Sequence, residues 1–355
     1  MTIAEALAKS ADVTAQVNGS LDAFFRQRIA EETDPAARQV LLCLRELTMN
    51  GGKRIRPLFC YWGWYGAGGS ADDADIIEVA AALELFHTAA LIHDDIIDDS
   101  DLRRGRPSVH LSLGKWHTEQ GWQGESRRFG QNGALLAGDA CLVWSEQVFQ
   151  DSPLVRGSAR ARRLFGRLRI SALYGEFLDL VGESRGGRLA DALKIVRHKT
   201  ASYTIRYPLQ IGAALAGADE ALLGAYDTFG LLLGEAFQLR DDVIGLFGAP
   251  ELTGKEPLDD ARKGKPTALI AMARELADPA QYARLDLLYG SERLGLDDLA
   301  ELRNVVRATG AHAAIERMIG ERHAGAIQAV RAAGLHPSAL NELESLAAAC
   351  VHRER

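Results

Sequence analysis

Apolar residues recur every three or four positions along most of this chain, which is the spacing of helices that bury one face. No convincing set of alternating strands is present in the sequence. The pattern predicts shorter helices near the C-terminus and, before them, helices over 20–48, about 75–101, 132–150, 157–182, 189–216, 219–247 and 265–276. Polar, glycine-rich segments separate them, at 102–108, 119–131, 183–188 and 248–264. None resembles an interdomain linker, so we expect one all-α domain over 1–355, with disorder an open alternative for about the first 18 residues.

The composition is that of a globular protein, because 47% of the 355 residues are hydrophobic and 25% are charged. A net charge of −7 argues against a nucleic-acid-binding surface. Four scattered cysteines form no metal-binding or redox pair, which favours a reducing compartment. The N-terminal sequence lacks the cationic and apolar segments of a signal peptide, and no apolar run reaches the ~18 residues of a membrane-spanning helix. We therefore expect a cytoplasmic protein with no membrane span.

An acidic cluster lies within the apolar helix predicted over 75–101. On a helix Asp94 and Asp98 are four residues apart, as are Asp95 and Asp99, so each pair shares a face. Like charges at this spacing repel, and the flanking residues are apolar, so a solvated surface is a poor explanation. A divalent cation would remove the conflict, and Mg²⁺ prefers carboxylate oxygens. The alternative is an acidic helix end, which the helix dipole disfavours at a C-terminus.

A second apolar helix carries Asp241 and Asp242 in the sequence GLLLGEAFQLRDDVIGLFG. Alone this pair is a weak signal, because both carboxylates could simply pair with the neighbouring Arg240. Two acidic helices in one chain are more specific. If they face each other across a bundle, they could hold several metal ions around one polyphosphate.

Cationic residues lie close to these acidic segments. Lys and Arg bind phosphate by charge, and Arg also by forked hydrogen bonds. Each cation alone would more often be a solvated surface group, but their position beside acidic clusters and glycine-containing turns favours a phosphate ligand. The sequence contains no P-loop, dinucleotide-binding glycine motif or kinase signature, so it lacks the usual motifs that bind a nucleotide. The cations are Lys53, Arg54 and Arg56 in GGKRIRP, Arg103 and Arg104 in DLRRGRP, Lys199 in HKT, and Lys255, Lys263 and Lys265.

In order along the chain, GGKRIRP, LIHDDIIDDSDLRRGRPSVH, HKTASYT and FQLRDDVIG followed by TGK and GKPT closely resemble the trans-type polyprenyl diphosphate synthase family. The motifs span about residues 51 to 267, and their order is far more specific than a single DDxxD. The resemblance, greatest to actinobacterial geranylgeranyl diphosphate synthases, implies an all-α isoprenoid-synthase bundle with a deep central cavity, usually a homodimer. It also implies a prenyltransferase that condenses isopentenyl diphosphate with an allylic diphosphate.

The resemblance assigns roles to individual positions of this sequence. The isopentenyl diphosphate site would consist of Lys53, Arg56, His87 and Arg104. Three Mg²⁺ ions, or Mn²⁺ in their place, would be bound mainly by Asp94, Asp98 and Asp241. Asp95, Asp242 and Asp259 would be further acidic members, with Lys255 in the loop after the second motif. The allylic diphosphate would contact Arg103, Lys199, Thr200, Gln238 and Lys265.

Three positions depart from the family pattern. Gly245 replaces the last aspartate of the second motif, Pro266 lies within GKPT, and Glu176 stands where Gln is frequent. The segment 116–132 is expected to be a surface loop of unassigned role. A class I terpene cyclase shares the fold and the first motif, but it would not need the GGKRIRP and Arg-Arg site. A non-catalytic partner subunit is a further alternative, kept open by Gly245.

Product length is predicted from the residues that precede Asp94. In this family, the positions four and five before the first aspartate help to form the cavity floor, and a bulky aromatic residue there favours C15 products. Here they are Ala90 and Ala89, so that floor is open, and Phe86 lies further along the helix. Three helical residues add about 4.5 Å, roughly one isoprene unit. We expect Phe86 to close the cavity and geranylgeranyl diphosphate (C20) to be the product. The alternatives are C25 or longer products, farnesyl diphosphate, and a Phe86 that is ordinary core.

Overall fold

The computed structural model of the chain describes residues 3–185, 187–248 and 261–352. The first part consists of α1 (Ile3–Glu31), α2 (Pro35–Met49), α3 (Ile55–Gly66), α4 (Asp75–Ile97), β1 (Leu102–Arg103), β2 (Arg106–Pro107), α5 (Val109–Glu119), α6 (Ser126–Asp151), α7 (Pro153–Arg156) and α8 (Ala159–Arg185). The second part consists of α9 (Leu189–Ile195), a π-helix (Val196–Arg206), α10 (Tyr207–Leu215), α11 (Glu220–Phe247), α12 (Ala268–Leu276), α13 (Pro279–Leu288), α14 (Leu296–Ala308), α15 (Ala311–Arg331) and α16 (Pro337–Val351). The prediction of an all-α fold is confirmed.

The prediction of one helix over 20–48 is wrong, because this range contains the end of α1 and most of α2. Asp34 caps α2 by accepting hydrogen bonds from the backbone N–H groups of Ala36 and Ala37, and Pro35 occupies the first helical position. An aspartate cap followed by proline starts a helix and cannot continue one. The described residues before position 18 are helical, since α1 begins at Ile3 and buries Val13 and Val17.

The acidic helix ends earlier than predicted. Asp98 is the C-terminal cap of α4, and its backbone N–H still bonds to the carbonyl of Asp94 at 2.8 Å. Asp99 has a positive φ of 47° and so lies outside the helix. Asp94 and Asp98 therefore keep the predicted helical spacing, whereas Asp95 and Asp99 do not share a helix face.

The helix predicted over 189–216 contains an irregular stretch. The π-helix of 11 residues separates α9 from α10, and it carries the HKT sequence. π-Helical turns are rare and are frequent at functional sites. The hydrophobic pattern does not identify this stretch, because five consecutive residues from Ala201 to Ile205 are buried and give no periodicity.

The chain divides into two compact units by its internal contacts: the first comprises Met1–Gly166, Pro208–Asp219 and Pro337–Ala339, and the second comprises Arg167–Tyr207, Glu220–His336 and Leu340–Arg355. The single domain over 1–355 therefore stays a prediction. In the first unit α4 buries most of its residues between Ile76 and Ala89, and α3 contacts α10 through glycines. A Cβ on Gly63 would lie 2.1 Å from the carbonyl oxygen of Leu209, and one on Gly212 would lie 1.9 Å from that of Cys60.

In the second unit the π-helix packs against α11. A Cβ on Gly234 would lie 2.3 Å from the Cα of Ala201, so the two backbones touch. The buried carboxylate of Glu235 joins three elements, because it accepts hydrogen bonds from Arg197 of the π-helix at 2.5 Å and Arg322 of α15 at 2.6 Å. This ion-paired glutamate fixes the register of the HKT segment on α11.

The expectation that no apolar run is long enough to span a membrane needs correction. Among the residues described, α4 alone has the length and hydropathy of a membrane-spanning helix. However, 72% of its most apolar window is buried inside the structure, as in the core helix of a soluble protein.

The segment 116–132 is largely helical, in contrast to the predicted surface loop. It contains the end of α5, a short turn and the start of α6. Trp116, His117, Trp122 and Phe129 pack their rings together at the turn, with centroid distances from 4.6 to 6.3 Å. This cluster of aromatic residues gives the turn a small core of its own.

Candidate active site

The first acidic motif lies at the C-terminal end of α4, where the helix places Asp94 and Asp98 one turn apart. Carboxylate oxygens of these two residues lie within 4.8 Å of each other. Both side chains are only partly buried, so solvent or a ligand can reach them. Two carboxylates this close, at the end of a helix whose dipole also disfavours anions, form a local excess of negative charge.

Arg103 of β1 supplies the nearest cation to this motif. Its Nη2 donates to Asp94 at 2.8 Å, and its Nε donates to Asp95 at 2.8 Å. Asp95 is 1% exposed, and burial raises the pKa of its carboxyl group above the ordinary value. The second oxygen of Asp95 has no hydrogen-bond partner within the part of the chain that the structure describes. Asp95 therefore orients Arg103. It is too enclosed to be an accessible metal ligand, so its role differs from that of Asp94 and Asp98.

The two basic sequences GGKRIRP and DLRRGRP meet in the first unit. β1 and β2 form a hairpin whose turn residues, Arg104 and Gly105, have φ values of 54° and 75°, as a type I′ turn requires. The hairpin directs Arg104 back onto the loop before α3. There its Nη1 donates to the carbonyl oxygens of Leu47 and Gly51 at 3.2 Å each.

Gly52 is required by this contact. Its φ is 95°, and a Cβ there would lie 2.8 Å from Nη2 of Arg104. The glycine pair thus lets the guanidinium group lie directly against the loop that carries Lys53. The structure places Lys53 at an exposed position and Arg56 at a partly buried one, in the first turn of α3.

His87 belongs to the same cationic region. Burial, and then the positive charges of Arg56 and Arg104, hold the pKa of His87 well below its ordinary value. A neutral imidazole offers one donor and one acceptor nitrogen, which suits hydrogen bonding to a diphosphate oxygen without a further charge. Arg56, His87 and Arg104, predicted for one site, are therefore brought together.

Arg54 does not belong to a phosphate site, which corrects the expectation from the cationic sequence. It is 2% exposed and forms an ion pair with buried Glu84, with 2.5 Å between Nη1 and Oε1. It also donates to the carbonyl of Thr48 at 2.6 Å and to Asn18 at 2.8 Å. All these partners are structural, so Arg54 anchors the loop and leaves ligand binding to its neighbours.

In the second unit the ammonium group of Lys199 lies between two carboxylates of α8. Its Nζ is 2.9 Å from Glu176 and 2.7 Å from Asp179. Neither carboxylate was predicted as a site residue. Glu176 was noted only as a departure from the family pattern, and Asp179 gave no signal beyond its place three residues later in LYGEFLDL.

Thr200, Gln238 and Asp242 form a chain of hydrogen bonds between the π-helix and α11. The hydroxyl of Thr200 donates to Gln238 at 2.7 Å, and the Gln238 amide donates to Asp242 at 3.0 Å. The other Asp242 oxygen accepts the backbone N–H of Ala268 at 3.0 Å, at the start of α12. Burial raises the pKa of Asp242 to about 7. Asp242 thus connects elements of the fold, whereas its neighbour Asp241 is exposed on α11 and is the better metal ligand.

The remaining predicted residues near the second motif are partly described. Lys265 precedes α12 at a partly buried position, and its carbonyl accepts hydrogen bonds from Tyr289 Oη at 2.6 Å and Thr267 N at 2.7 Å. Lys255 and Asp259 lie outside the described residues.

The residues predicted to set product length differ in burial. Phe86 is 1% exposed and Ala89 is fully enclosed. Ala90 is only partly buried, one helical turn before Asp94. The accessible position on this face of α4 is therefore Ala90, and the burial of Phe86 fits the alternative in which it is ordinary core.

The acidic residues of the two motifs fit divalent Mg²⁺. Asp94, Asp98 and exposed Asp241 offer carboxylate oxygens, the ligand type that Mg²⁺ prefers. Asp95 and Asp242 are held in protein hydrogen bonds instead. Cations for an anionic ligand accompany the acidic groups in each unit, namely Arg103 in the first and Lys199 in the second.

Comparison with known proteins gives a consistent result. The model of the polyprenyl synthetase family matches residues 38–306. A geranylgeranyl pyrophosphate synthase structure from Corynebacterium glutamicum, complexed with isoprenyl diphosphate and magnesium, has a TM-score of 0.88 and 35% identity, covering 97% of this chain and 98% of that one. A geranylfarnesyl diphosphate synthase from Aeropyrum pernix is 32% identical over 74% of this chain and 77% of its own length. Component 2 of a heptaprenyl diphosphate synthase from Geobacillus stearothermophilus is 34% identical over 76% of each chain. The chain belongs to the polyprenyl synthetase family of prenyltransferases.

Proposed function

We propose that this protein elongates an allylic diphosphate with isopentenyl diphosphate in an Mg²⁺-dependent reaction, and that its main all-trans product is geranylgeranyl diphosphate. The observation that carries the proposal is the pairing of Arg103 with Asp94, beside Asp98. A phosphate-binding guanidinium group and metal-binding carboxylates are thereby held at one helix end. This combination suits a diphosphate leaving group.

The allylic diphosphate is expected to bind where the side chains of Arg103, Lys199, Thr200, Gln238 and Lys265 can donate hydrogen bonds. When bound at Asp94, Asp98 and Asp241, three Mg²⁺ ions, or Mn²⁺ in their place, would supply Lewis-acid stabilisation of the diphosphate. Arg103 and Lys199 stabilise the negative charge that develops as the C–O bond of the allylic substrate breaks. Lys255 and Asp259 are proposed to act from the loop after the second motif.

Isopentenyl diphosphate is proposed to bind at Lys53, Arg56, His87 and Arg104. Binding there holds its double bond near the allylic carbon, so that a bimolecular addition becomes a reaction within one complex. Loss of a proton then gives an allylic product that is five carbons longer. The released pyrophosphate is the proposed base, and an apolar cavity would protect the allylic cation from water.

The small residues Ala89 and Ala90 before Asp94 support a product longer than C15. Ala90 lies about 6 Å from Asp94 along the helix axis, and it is the accessible one of the two. The named relatives are a geranylgeranyl synthase, a geranylfarnesyl synthase and one component of a heptaprenyl synthase, so product length varies within the family. Longer products and farnesyl diphosphate are therefore the alternatives, and a terpene cyclase or a non-catalytic subunit is a weaker one. Gly245 leaves the metal role of the second motif to Asp241.

A cytoplasmic homodimer is proposed as the active form. Two helices expose apolar residues that a partner surface would cover. On α6 these are Leu135, Leu136 and Val143, with exposed fractions of 50, 68 and 65%. On α8 they are Ile170, Leu173, Tyr174, Phe177 and Leu180. An association with a different subunit is the alternative, because one relative is a component of a larger synthase.

Product analysis tests the proposal. The purified full-length protein is incubated with isopentenyl diphosphate and dimethylallyl, geranyl or farnesyl diphosphate, with Mg²⁺ or with EDTA. We expect geranylgeranyl diphosphate in the presence of Mg²⁺ and no product in EDTA. Cyclised hydrocarbons without elongation would favour a cyclase, and activity only after addition of a second protein would favour a partner subunit.

A further inference from the structure

The last two turns of α11 have a sequence that favours a helix poorly. From Asp241 to Phe247 the sequence is DDVIGLF, which combines two aspartates, two β-branched residues and a glycine. All these residue types have low helix propensities, and glycine has the lowest of them. The helix dipole also disfavours carboxylates near a C-terminus. The segment that carries Asp241 therefore depends on contacts from other helices to stay wound.

Contacts from two other helices hold α11 on either side of Asp241. Arg240 forms a forked ion pair with Glu316 of α15, in which each Nη atom lies 2.7 Å from a carboxylate oxygen. Asp242 accepts a hydrogen bond from the backbone N–H of Ala268, at the start of α12, at 3.0 Å. These contacts fix the helix at its acidic pair, but they do not reach the turn that follows.

Arg303 of α14 holds this last turn. Its Nε donates to the carbonyl oxygen of Leu246 at 2.6 Å, and its Nη2 donates to that of Gly248 at 3.3 Å. The last carbonyls of a helix have no partner within the helix, so Arg303 supplies donors that the backbone lacks. Its positive charge also lies at the end where the helix dipole favours a cation. Arg303 is thus a C-terminal cap of α11 that comes from another helix.

The capped turn is the one that closes on Asp241. In an α-helix each N–H bonds to the carbonyl four residues earlier, so the N–H of Gly245 bonds to the carbonyl of Asp241. The same pattern continues to the helix end, where the N–H of Gly248 bonds to the carbonyl of Ile244 at 2.8 Å. Unwinding of this turn would remove a backbone hydrogen bond of Asp241 and release the orientation of its side chain.

We propose that Arg303 is a positioning residue for the second acidic motif: by capping α11 it holds the Asp241 carboxylate in the orientation that binds a divalent cation. Arg303 does not touch the metal or the substrates and acts only through the helix. The inference rests on the proposed function, because it takes Asp241 to be a metal ligand.

Arg303→Met tests the inference, because it removes the donors and the charge but keeps an unbranched side chain. Hydrogen–deuterium exchange of the full-length protein in EDTA, followed by mass spectrometry, reports the last turn without any metal. We expect amides 245–248 to exchange at least about tenfold faster in the variant, since hydrogen bonds to a charged group are lost. Circular dichroism checks that the variant is folded.

Binding of Mn²⁺, with the free ion measured by electron paramagnetic resonance, reports the metal site. We expect Arg303→Met to bind Mn²⁺ at least about threefold more weakly, a smaller loss than the ~10–100-fold that follows removal of a direct hydrogen-bond partner of a metal ligand. Adding Arg303→Met to Asp241→Ala should cause no further loss, because the effect acts through Asp241.

Two further variants separate capping from a general loss of stability. Arg303→Lys keeps a cation at the helix end, so its exchange rate and its Mn²⁺ affinity should lie closer to those of the wild type than to those of Arg303→Met. Arg284→Met is the matched control, because Arg284 pairs with Glu301 of the same α14 but lies on α13. It should exchange and bind Mn²⁺ as the wild type does.

Unchanged exchange of amides 245–248 in Arg303→Met would overturn this inference, as would faster exchange with wild-type affinity for Mn²⁺. A further loss of affinity on top of Asp241→Ala would also overturn it. None of these results would affect the proposed function. If Asp241→Ala binds Mn²⁺ as the wild type does, or the wild type binds none, both proposals fail.

Discussion

The buried ion pair between Arg54 and Glu84 gives the sharpest stability prediction. Their side chains are 1% and 3% exposed, and Nη1 and Oε1 are 2.5 Å apart. Removing one partner of such a pair leaves a buried charge without compensation and typically lowers stability by about 3–5 kcal/mol. Glu84→Gln keeps an oxygen acceptor, and Arg54 retains Thr48 and Asn18. We therefore expect a loss at the lower end, about 3 kcal/mol.

The assay is urea unfolding followed by circular dichroism, with the free energy of unfolding extrapolated to water. The matched control is Glu46→Gln, because Glu46 pairs with Arg106 at a surface where both side chains are more than half exposed. An exposed pair contributes about 1 kcal/mol or less. A loss below about 1 kcal/mol in Glu84→Gln, or equal losses in the two variants, would refute the reasoning that burial decides the value of the pair.

Three further predictions concern binding, product length and pH. Gly52→Ala should raise KM for isopentenyl diphosphate with little change in KM for the allylic substrate, because the added Cβ displaces the Arg104 guanidinium group. Steady-state kinetics with each substrate varied in turn would measure both KM values, and equal changes in the two would contradict this prediction. Ala90→Phe should shorten the product toward C15, since Ala90 is the accessible position before Asp94; an unchanged chromatographic profile would show that α4 does not limit chain length. The raised pKa of Asp242, about 7, means that the folded state keeps a proton that the unfolded state releases near pH 4. In EDTA this contribution to the free energy of unfolding is present at low pH and is lost as the pH rises toward 7. Asp242→Asn should therefore gain stability relative to the wild type across that pH range. Parallel curves of unfolding free energy against pH for the two proteins would contradict the raised pKa of Asp242.

The sequence was sufficient for the helical class. The apolar spacing located α4 and α11 to within a few residues, because each buries many apolar residues. The break at Asp34 and Pro35 was also readable, since an N-cap followed by proline is a known helix start, but the continuous apolar pattern across it concealed the two helices. The degree of burial of Phe86 and Ala90 on α4 could not be predicted, because it depends on neighbours that are distant in sequence.

The electrostatic partners of the site could not be predicted from one sequence. Arg54 and Arg56 stand two residues apart in GGKRIRP, yet Arg54 is buried against Glu84, whereas Arg56 is only partly buried. Arg54 also has a positive φ of 50°, which the sequence pattern does not predict for an arginine. Similarly, the pairing of Lys199 with Glu176 depends on the close contact at Gly175. Such contacts are set by packing between elements, and no local pattern encodes them.

The proposed prenyl transfer requires the two acidic motifs to act together. The direct measurement is the turnover of purified wild type, Asp94→Ala and Asp241→Ala with isopentenyl and farnesyl diphosphates at saturating Mg²⁺, with folding checked by circular dichroism. We predict that the wild type forms geranylgeranyl diphosphate, and that both folded variants lose activity by orders of magnitude because each lacks an accessible carboxylate for the metal. Wild-type rates in both variants, or no elongated product from the wild type, would contradict the proposed mechanism.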